Sequence, residues 1–220
     1  MNSNLTEIAY VLDRSGSMNS MTEAAIAGFN EFLNEQRAAP GQANLSLMLF
    51  DNEFLNPCLR TPLPEVPELT TQTYVPRGMT ALLDAIGMTI DKLGKSLAAE
   101  PEENRPGKVV VAIFTDGYEN ASKEYTFEKI HEMITHQRSE YQWEFLFLGA
   151  NEDAIATATD MGIDRSMASI SENSERGVRS SSKCFSRKVM AMRENVMSHR
   201  VSSDYSKPMD EIVREEEGKR

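Results

Sequence analysis

Every residue from Val109 to Phe114 in the run Lys108-Val109-Val110-Val111-Ala112-Ile113-Phe114-Thr115 is apolar. That single run constrains the architecture more than any other. A strand with one wet face alternates apolar with polar residues, so an unbroken apolar strand needs cover on both faces, as in a parallel sheet packed between helices. Ile8-Ala9-Tyr10-Val11-Leu12 has the same character, and Leu45 to Phe50 and Trp143 to Leu148 are further strands.

The segments between these strands carry helical periodicity. Ser20-Met21-Thr22-Glu23 has the S-x-x-E form of a capping box, which predicts a helix from near Met21 with Met21, Ala25, Phe29, Phe32 and Leu33 on its buried stripe. Pro40-Gly41 stops it. Asp51-Asn52 is a tight-turn pair leading into an antiparallel edge strand, Glu53 to Arg60, and Pro57, Pro62, Pro64 and Pro67 mark an extended surface crossing. Leu82, Leu83, Ile86, Ile90, Leu93 and Leu97 define a second helix, and Phe127, Ile130 and Ile134 a third, from about Thr126 to His136. Asn151 is placed to cap a fourth, Glu152 to Met161, with Gly162 as its stop. A short strand around Ala168 to Ile170 and a last helix from about Ser174 to Met197 follow. The order predicts an α/β fold: a doubly wound, mostly parallel central sheet with one antiparallel edge strand and helices on both faces.

At 220 residues the chain is one domain, expected over residues 1–198, followed by a charged C-terminal tail over 199–220 that reads from about Ser202 as a tail or a frayed amphipathic helix. The formal charge of −11 argues against a nucleic-acid surface. That charge is uneven. Residues 175–200 hold seven Lys and Arg against two Glu, so the last helix is basic, while residues 201–220 hold four basic and six acidic side chains. The basic segment has two readings: it docks an acidic partner or the chain's own acidic tail, or Val178, Phe185, Val189 and Met192 bury one face while the Arg and Lys positions form the solvated side. Cys58 and Cys184 have neither zinc-site nor disulfide-framework spacing, and the N-terminus has no basic stretch followed by an apolar one. A soluble, cytoplasmic protein without a membrane span is expected.

The candidate functional residues lie where strands end. Asp13-Arg14-Ser15-Gly16-Ser17 places a carboxylate and two hydroxyls at alternating positions directly after the first strand. Thr80 precedes the second helix, and Asp116 follows the Val109 strand. In open α/β sheets, ligands bind beyond the carboxyl ends of the strands, at the point where the strand order reverses. Neighbouring first and Val109 strands would bring all five oxygen-bearing side chains together. Hard oxygen donors without Cys or His select magnesium, calcium or manganese. Neutral hydroxyls quench the ion's charge less than carboxylates do, which leaves it electrophilic toward a ligand from another molecule.

Asp13-x-Ser15-x-Ser17, Thr80 in Gly78-Met79-Thr80-Ala81-Leu82, and Asp116 in Phe114-Thr115-Asp116-Gly117 resemble the three-part metal-ion-dependent adhesion site of von Willebrand factor type A domains. The resemblance covers about residues 5 to 190, in the family's order of elements. It implies a Rossmann-like sheet, a bound magnesium ion with Ser15, Ser17 and Thr80 as ligands, and Asp13 and Asp116 acting directly or through water. It also implies a non-enzymatic adaptor that captures a carboxylate of a protein partner. Intracellular microbial members often work beside ATPases, kinases or phosphatases, or in stress and defence systems.

Two rivals stand beside that expectation. A metal-dependent phosphohydrolase of the aspartyl-phosphate kind wants a second aspartate two residues after Asp13, where Ser15 stands, and a hydrolase elbow wants glycines where Asp13 and Ser17 stand. No G-x-x-x-x-G-K-[ST] or G-x-G-x-x-G cradle is present. The other rival is a structural subunit that binds through its basic last helix.

Overall fold

The computed structural model describes residues 1–150, 153–198 and 202–218. Six strands form one sheet: β1 (Asn2–Asp13), β2 (Gln42–Phe50), β3 (Phe54–Pro62), β4 (Pro106–Thr115), β5 (Glu144–Gly149) and β6 (Ala168–Ile170). Their spatial order is β3-β2-β1-β4-β5-β6. All pairings are parallel except β2 with β3, which is the expected antiparallel edge.

Because side chains alternate across a strand, each apolar strand feeds two cores. Ile8, Tyr10 and Leu12 join Leu45, Leu47, Val110, Ala112 and Leu146 beneath α1 (Thr22–Ala38) and α5 (Glu175–Ser198). Ala9, Val11, Met48, Val111, Ile113 and Phe145 pack on the other face against α2 (Leu82–Ala98), α3 (Phe127–Tyr141) and α4 (Ala154–Asp160). On the first face Tyr10 is the hub, with Phe29, Phe32 and Phe185 edge-on to its ring at 5.3, 5.0 and 5.7 Å.

Several boundaries differ from expectation for identifiable reasons. Ser20 forms no capping box: Gly16–Met21 is a 3-10 turn, and α1 starts at Thr22 after Met21, which makes no side-chain cap. The third helix runs on to Tyr141, where Gln142 ends it in the left-handed region at φ 54°. Asn151 and Glu152, the expected cap and start of the fourth helix, lie outside the described residues.

The largest departure is at the C-terminal end. The stretch expected as a charged tail or a frayed amphipathic helix contains α6 (Ser203–Ser206) and α7 (Met209–Gly218), and it packs into the core instead of fraying. Met209, Ile212 and Val213 are buried in the same core as Cys184 and Phe185. The solvated-side reading of α5 also fails in part: Val178, Phe185, Val189 and Met192 are buried as expected, but so are Lys188 and Arg193. Lys183, Arg187, Lys188 and Arg193 are used internally, while Arg176 and Arg179 stay exposed. Arg187 pairs with Asp204, Glu215 and Glu216 at 2.7–2.8 Å, Lys183 pairs with Glu31 and Glu35, and Lys188 Nζ donates to the Tyr205 carbonyl at 3.1 Å. The acidic segment therefore docks on the basic helix of its own chain. Arg187 holds the Asp204 carboxyl below its usual range, and Lys207 followed by Arg187 does the same for Glu215.

Candidate metal centre

From β1 the chain runs toward β2 on one side, and β4 lies on the other. The carboxyl ends of β1 and β4 thus flank the point where the strand order reverses. Leu12 is in register with Phe114, which sets Asp13 beside Thr115 and Asp116.

The Asp13 carboxylate, wholly buried, organises the loop that follows it. Its Oδ1 accepts the Ser15 amide at 2.6 Å, an Asx-type turn that reverses the chain. Its Oδ2 accepts the Thr115 hydroxyl at 2.6 Å. Ser15 and Ser17 then stand with their hydroxyls 3.0 Å apart, and Ser17 Oγ donates to Asp116 Oδ1 at 2.7 Å. Thr80 closes the set from the segment before α2. A Cβ added to Gly117 would lie 2.7 Å from Thr80 Oγ1, so this hydroxyl abuts the residue next to Asp116. All five sequence-predicted residues come together, with Asp13, Ser15, Thr80 and Asp116 buried and Ser17 exposed at the mouth.

None of the three hydroxyls serves as a helix cap. The turn at Gly16–Met21 and helix α2 both begin without a side-chain cap hydrogen bond from the preceding residue. The Leu83 amide in the first turn of α2 is instead taken by Glu119 Oε2 at 2.9 Å. The Thr80 main chain is clamped from both sides by Asn120, whose Oδ1 accepts its amide at 2.9 Å and whose own amide donates to its carbonyl at 3.0 Å. Glu119 also accepts the amides of Ala121 and Ser122, so it fixes the loop and the helix start.

Further supports come from residues that sequence reasoning did not single out. The buried Tyr74 hydroxyl donates to the Asp13 carbonyl at 2.6 Å, and the Arg14 amide donates to the Phe50 carbonyl at 2.8 Å. Gly16 N–H reaches the Gly78 carbonyl at 3.2 Å, and Gly78 adopts φ 68°, a conformation that favours glycine. Arg14 and Arg77 both engage buried Asp51, at 3.2 and 3.0 Å. The nearby cations are thereby held on another carboxylate.

The electrostatics of the five-residue set suit a cation. Burial pushes the Asp13 carboxyl up to about 6, against the hydrogen bonds from Thr115 and Ser15, with the Asp116 charge adding to the rise. Burial raises Asp116 as well, opposed by the Ser17 hydrogen bond. Asp116 Oδ2 is buried with no hydrogen-bond partner among the described residues. Such an orphan acceptor costs ~1–3 kcal/mol unless something satisfies it. A divalent ion fits these residues: two carboxylates and three hydroxyls supply only hard oxygens, the donors of magnesium, calcium and manganese. Among the described residues no group of three or more His, Cys, Asp or Glu could hold a metal, so this mixed set is distinct from a nitrogen and sulfur cage.

No family model matches the sequence, and no curated protein matches it. Solved structures do. The manganese-loaded TRAP protein of Plasmodium vivax superposes with a TM-score of 0.57 at 17% identity, over 78% of this chain and 70% of that one. Proximal thread matrix protein 1 of the mussel byssus, in a form with a zinc-occupied MIDAS motif, gives 0.63 at 12% identity over 84% of this chain and 48% of that one. A von Willebrand factor type A protein of Catenulispora acidiphila gives 0.58 at 12% identity, over 86% of this chain and 43% of that one. The chain thus spans less than half the length of the second and third of these. The likeness is one of fold, and the chain has the von Willebrand factor type A fold.

Proposed function

We propose that the chain is a binding module that captures an acidic residue of a protein partner through a divalent ion, magnesium in the first instance, with calcium or manganese as substitutes. Ser15, Ser17 and Thr80 are its hydroxyl ligands, and Asp13 and Asp116 hold the ion directly or through water. The observation that carries this reading is the buried Asp116 Oδ2 with no hydrogen-bond partner among the described residues, beside the Ser15–Ser17 hydroxyl pair. When bound, the ion would supply a Lewis-acidic position for an outside carboxylate. The chain's own part is to orient five oxygens and to hold Arg14 and Arg77 on Asp51, away from competition for the incoming anion.

A capturing rather than catalytic role is favoured because the carboxylates best placed to act as a base, Asp13 and Glu119, are already engaged in positioning. Asp13 is tied to Ser15 and Thr115, and Glu119 is tied to α2 and its own loop. The byssus matrix protein of similar fold, with its zinc-occupied MIDAS motif, supports the same view by analogy of fold alone. The basic-helix rival loses support, because Lys183, Arg187, Lys188 and Arg193 are already used within the chain. A cytoplasmic setting is consistent with two buried free thiols, Cys58 and Cys184, and no helix among the described residues is long and apolar enough to cross a membrane. An ATPase, kinase, phosphatase or stress-system component is the partner class proposed.

The test is a pull-down from the source cell lysate with magnesium, with chelator, and with Thr80→Ala. Recovery of the same partner is expected with magnesium and is expected to fall at least tenfold with chelator or with the variant. Equal recovery in all three would sink the proposal.

A further inference from the structure

A cavity of about 140 Å³ lies between the ends of β4 and β5 and the first turns of α2 and α3. Leu82, Phe127 and Phe147 supply its apolar lining, Thr115 and Thr157 add hydroxyls, and exposed Tyr118 also contributes. Thr115 is the wall shared with the candidate metal centre, because its hydroxyl donates to Asp13 Oδ2 at 2.6 Å. Gly117, another lining residue, abuts the Thr80 hydroxyl. The cavity therefore begins one side chain away from the ion's ligands.

Its size and lining specify an occupant. An apolar cavity of about 150 Å³ lined by Leu, Ile and Phe takes up benzene, so this one has room for a phenyl or isobutyl group. Among the described residues the one carboxylate in its wall, Glu119, accepts three main-chain amides and the Ser122 hydroxyl, which leaves it committed to the loop. Tyr118, two residues after Asp116, is a large side chain that the fold leaves exposed at the cavity's edge.

We infer that the partner is read at two points: its carboxylate on the ion, and an aliphatic or aromatic side chain one or two residues away in this cavity. The inference rests on the metal reading and extends it. Surface carboxylates occur on nearly every soluble protein, so an ion alone selects poorly. An apolar anchor seated in a desolvated pocket beside it supplies the discrimination, as buried anchors do at other interfaces. The partner motif is thus Asp or Glu with Leu, Ile or Phe within two positions.

The experiment uses synthetic hexapeptides, each with one Glu and flanks of Ala, Lys, Leu or Phe, titrated against the full chain with magnesium. Peptides with Leu or Phe beside Glu are expected to bind about tenfold more tightly than those with Ala, the scale set by burying one such side chain. Thr157→Trp fills the cavity and is expected to erase that preference while magnesium-dependent binding of the Ala-flanked peptide persists. Thr157→Ala widens the cavity and is expected to shift the preference from Leu toward Phe, which guards against a misfolded tryptophan variant. Magnesium-dependent binding of Glu peptides that ignores the flanks overturns the subsite and leaves the metal reading standing. Binding that needs neither magnesium nor Glu overturns both.

Discussion

Replacing Asp13 with asparagine is expected to lower divalent-ion affinity by about 100-fold or more while leaving the fold intact. The side chain is wholly buried and organises both halves of the site: Oδ1 turns the chain at Ser15, and Oδ2 holds Thr115 at the end of β4. Asparagine keeps the volume and one acceptor but removes the charge. Its amide can keep both positioning contacts, Oδ1 accepting the Ser15 N–H and Nδ2 donating to the Thr115 hydroxyl oxygen, whose own O–H turns to the Gly117 carbonyl. The loop remains anchored by Tyr74 on the Asp13 carbonyl and by Arg14 N–H on Phe50, both main-chain contacts that the substitution spares. The variant also removes a charge that burial disfavours, the cause that pushes this carboxyl up to about 6. In chelator, its thermal midpoint is therefore expected to equal or exceed that of the wild type. Calorimetric ion titration and a thermal melt on the same preparation check both halves. A variant that binds the ion normally would remove Asp13 from the site.

The second large effect is on stability and lies far from the site. Arg193→Ala is expected to destabilise the chain by about 3 kcal/mol, because several buried acceptors lose their donor together. From α5, the Arg193 guanidinium reaches the C-terminal end of α1 and donates to the carbonyls of Gln36, Pro40 and Gly41 at 2.7, 3.1 and 3.0 Å, and to Gln36 Oε1 at 3.0 Å. These carbonyls include orphans that the end of a helix leaves behind. A planar fork satisfies them at once, which a single ammonium cannot do, so Arg193→Lys is expected to recover only part of the loss. For a chain of this size ~1 kcal/mol moves the midpoint by roughly 2–4 °C. A thermal melt should therefore show a drop of about 6–12 °C for the alanine variant. A drop of a degree or less would mean that water replaces the guanidinium at no cost.

What the sequence made legible follows from how locally each feature is encoded. The sheet was legible because Val109 to Phe114 is apolar throughout, and a strand of that kind has few environments. Asp13, Ser15 and Ser17 were legible because alternate spacing in one loop is itself the signal, and Thr80 and Asp116 because they sit at element ends that the topology brings together. Most of the supports were not legible. Tyr74 meets Asp13 across 61 residues and Arg193 meets Gln36 across 157, with no local pattern to announce either of them. The capping box at Ser20 misled because a favourable local motif gave way to the 3-10 turn that continues the Asp13 loop. The segment 202–218 was legible only in outline, as a tail or an amphipathic helix. Met209, Ile212 and Val213 carry its buried face at helical spacing, but the stripe is too short to announce its docking, which comes from packing on α5.

The central claim is that Asp13, Ser15, Ser17, Thr80 and Asp116 hold one divalent ion. Isothermal titration of magnesium, repeated with manganese, into the wild type and into a Ser15→Ala/Ser17→Ala double variant tests it most directly. Saturable binding of one ion per chain is predicted for the wild type and none for the double variant. No saturable binding to the wild type, or equal binding to both, would contradict it.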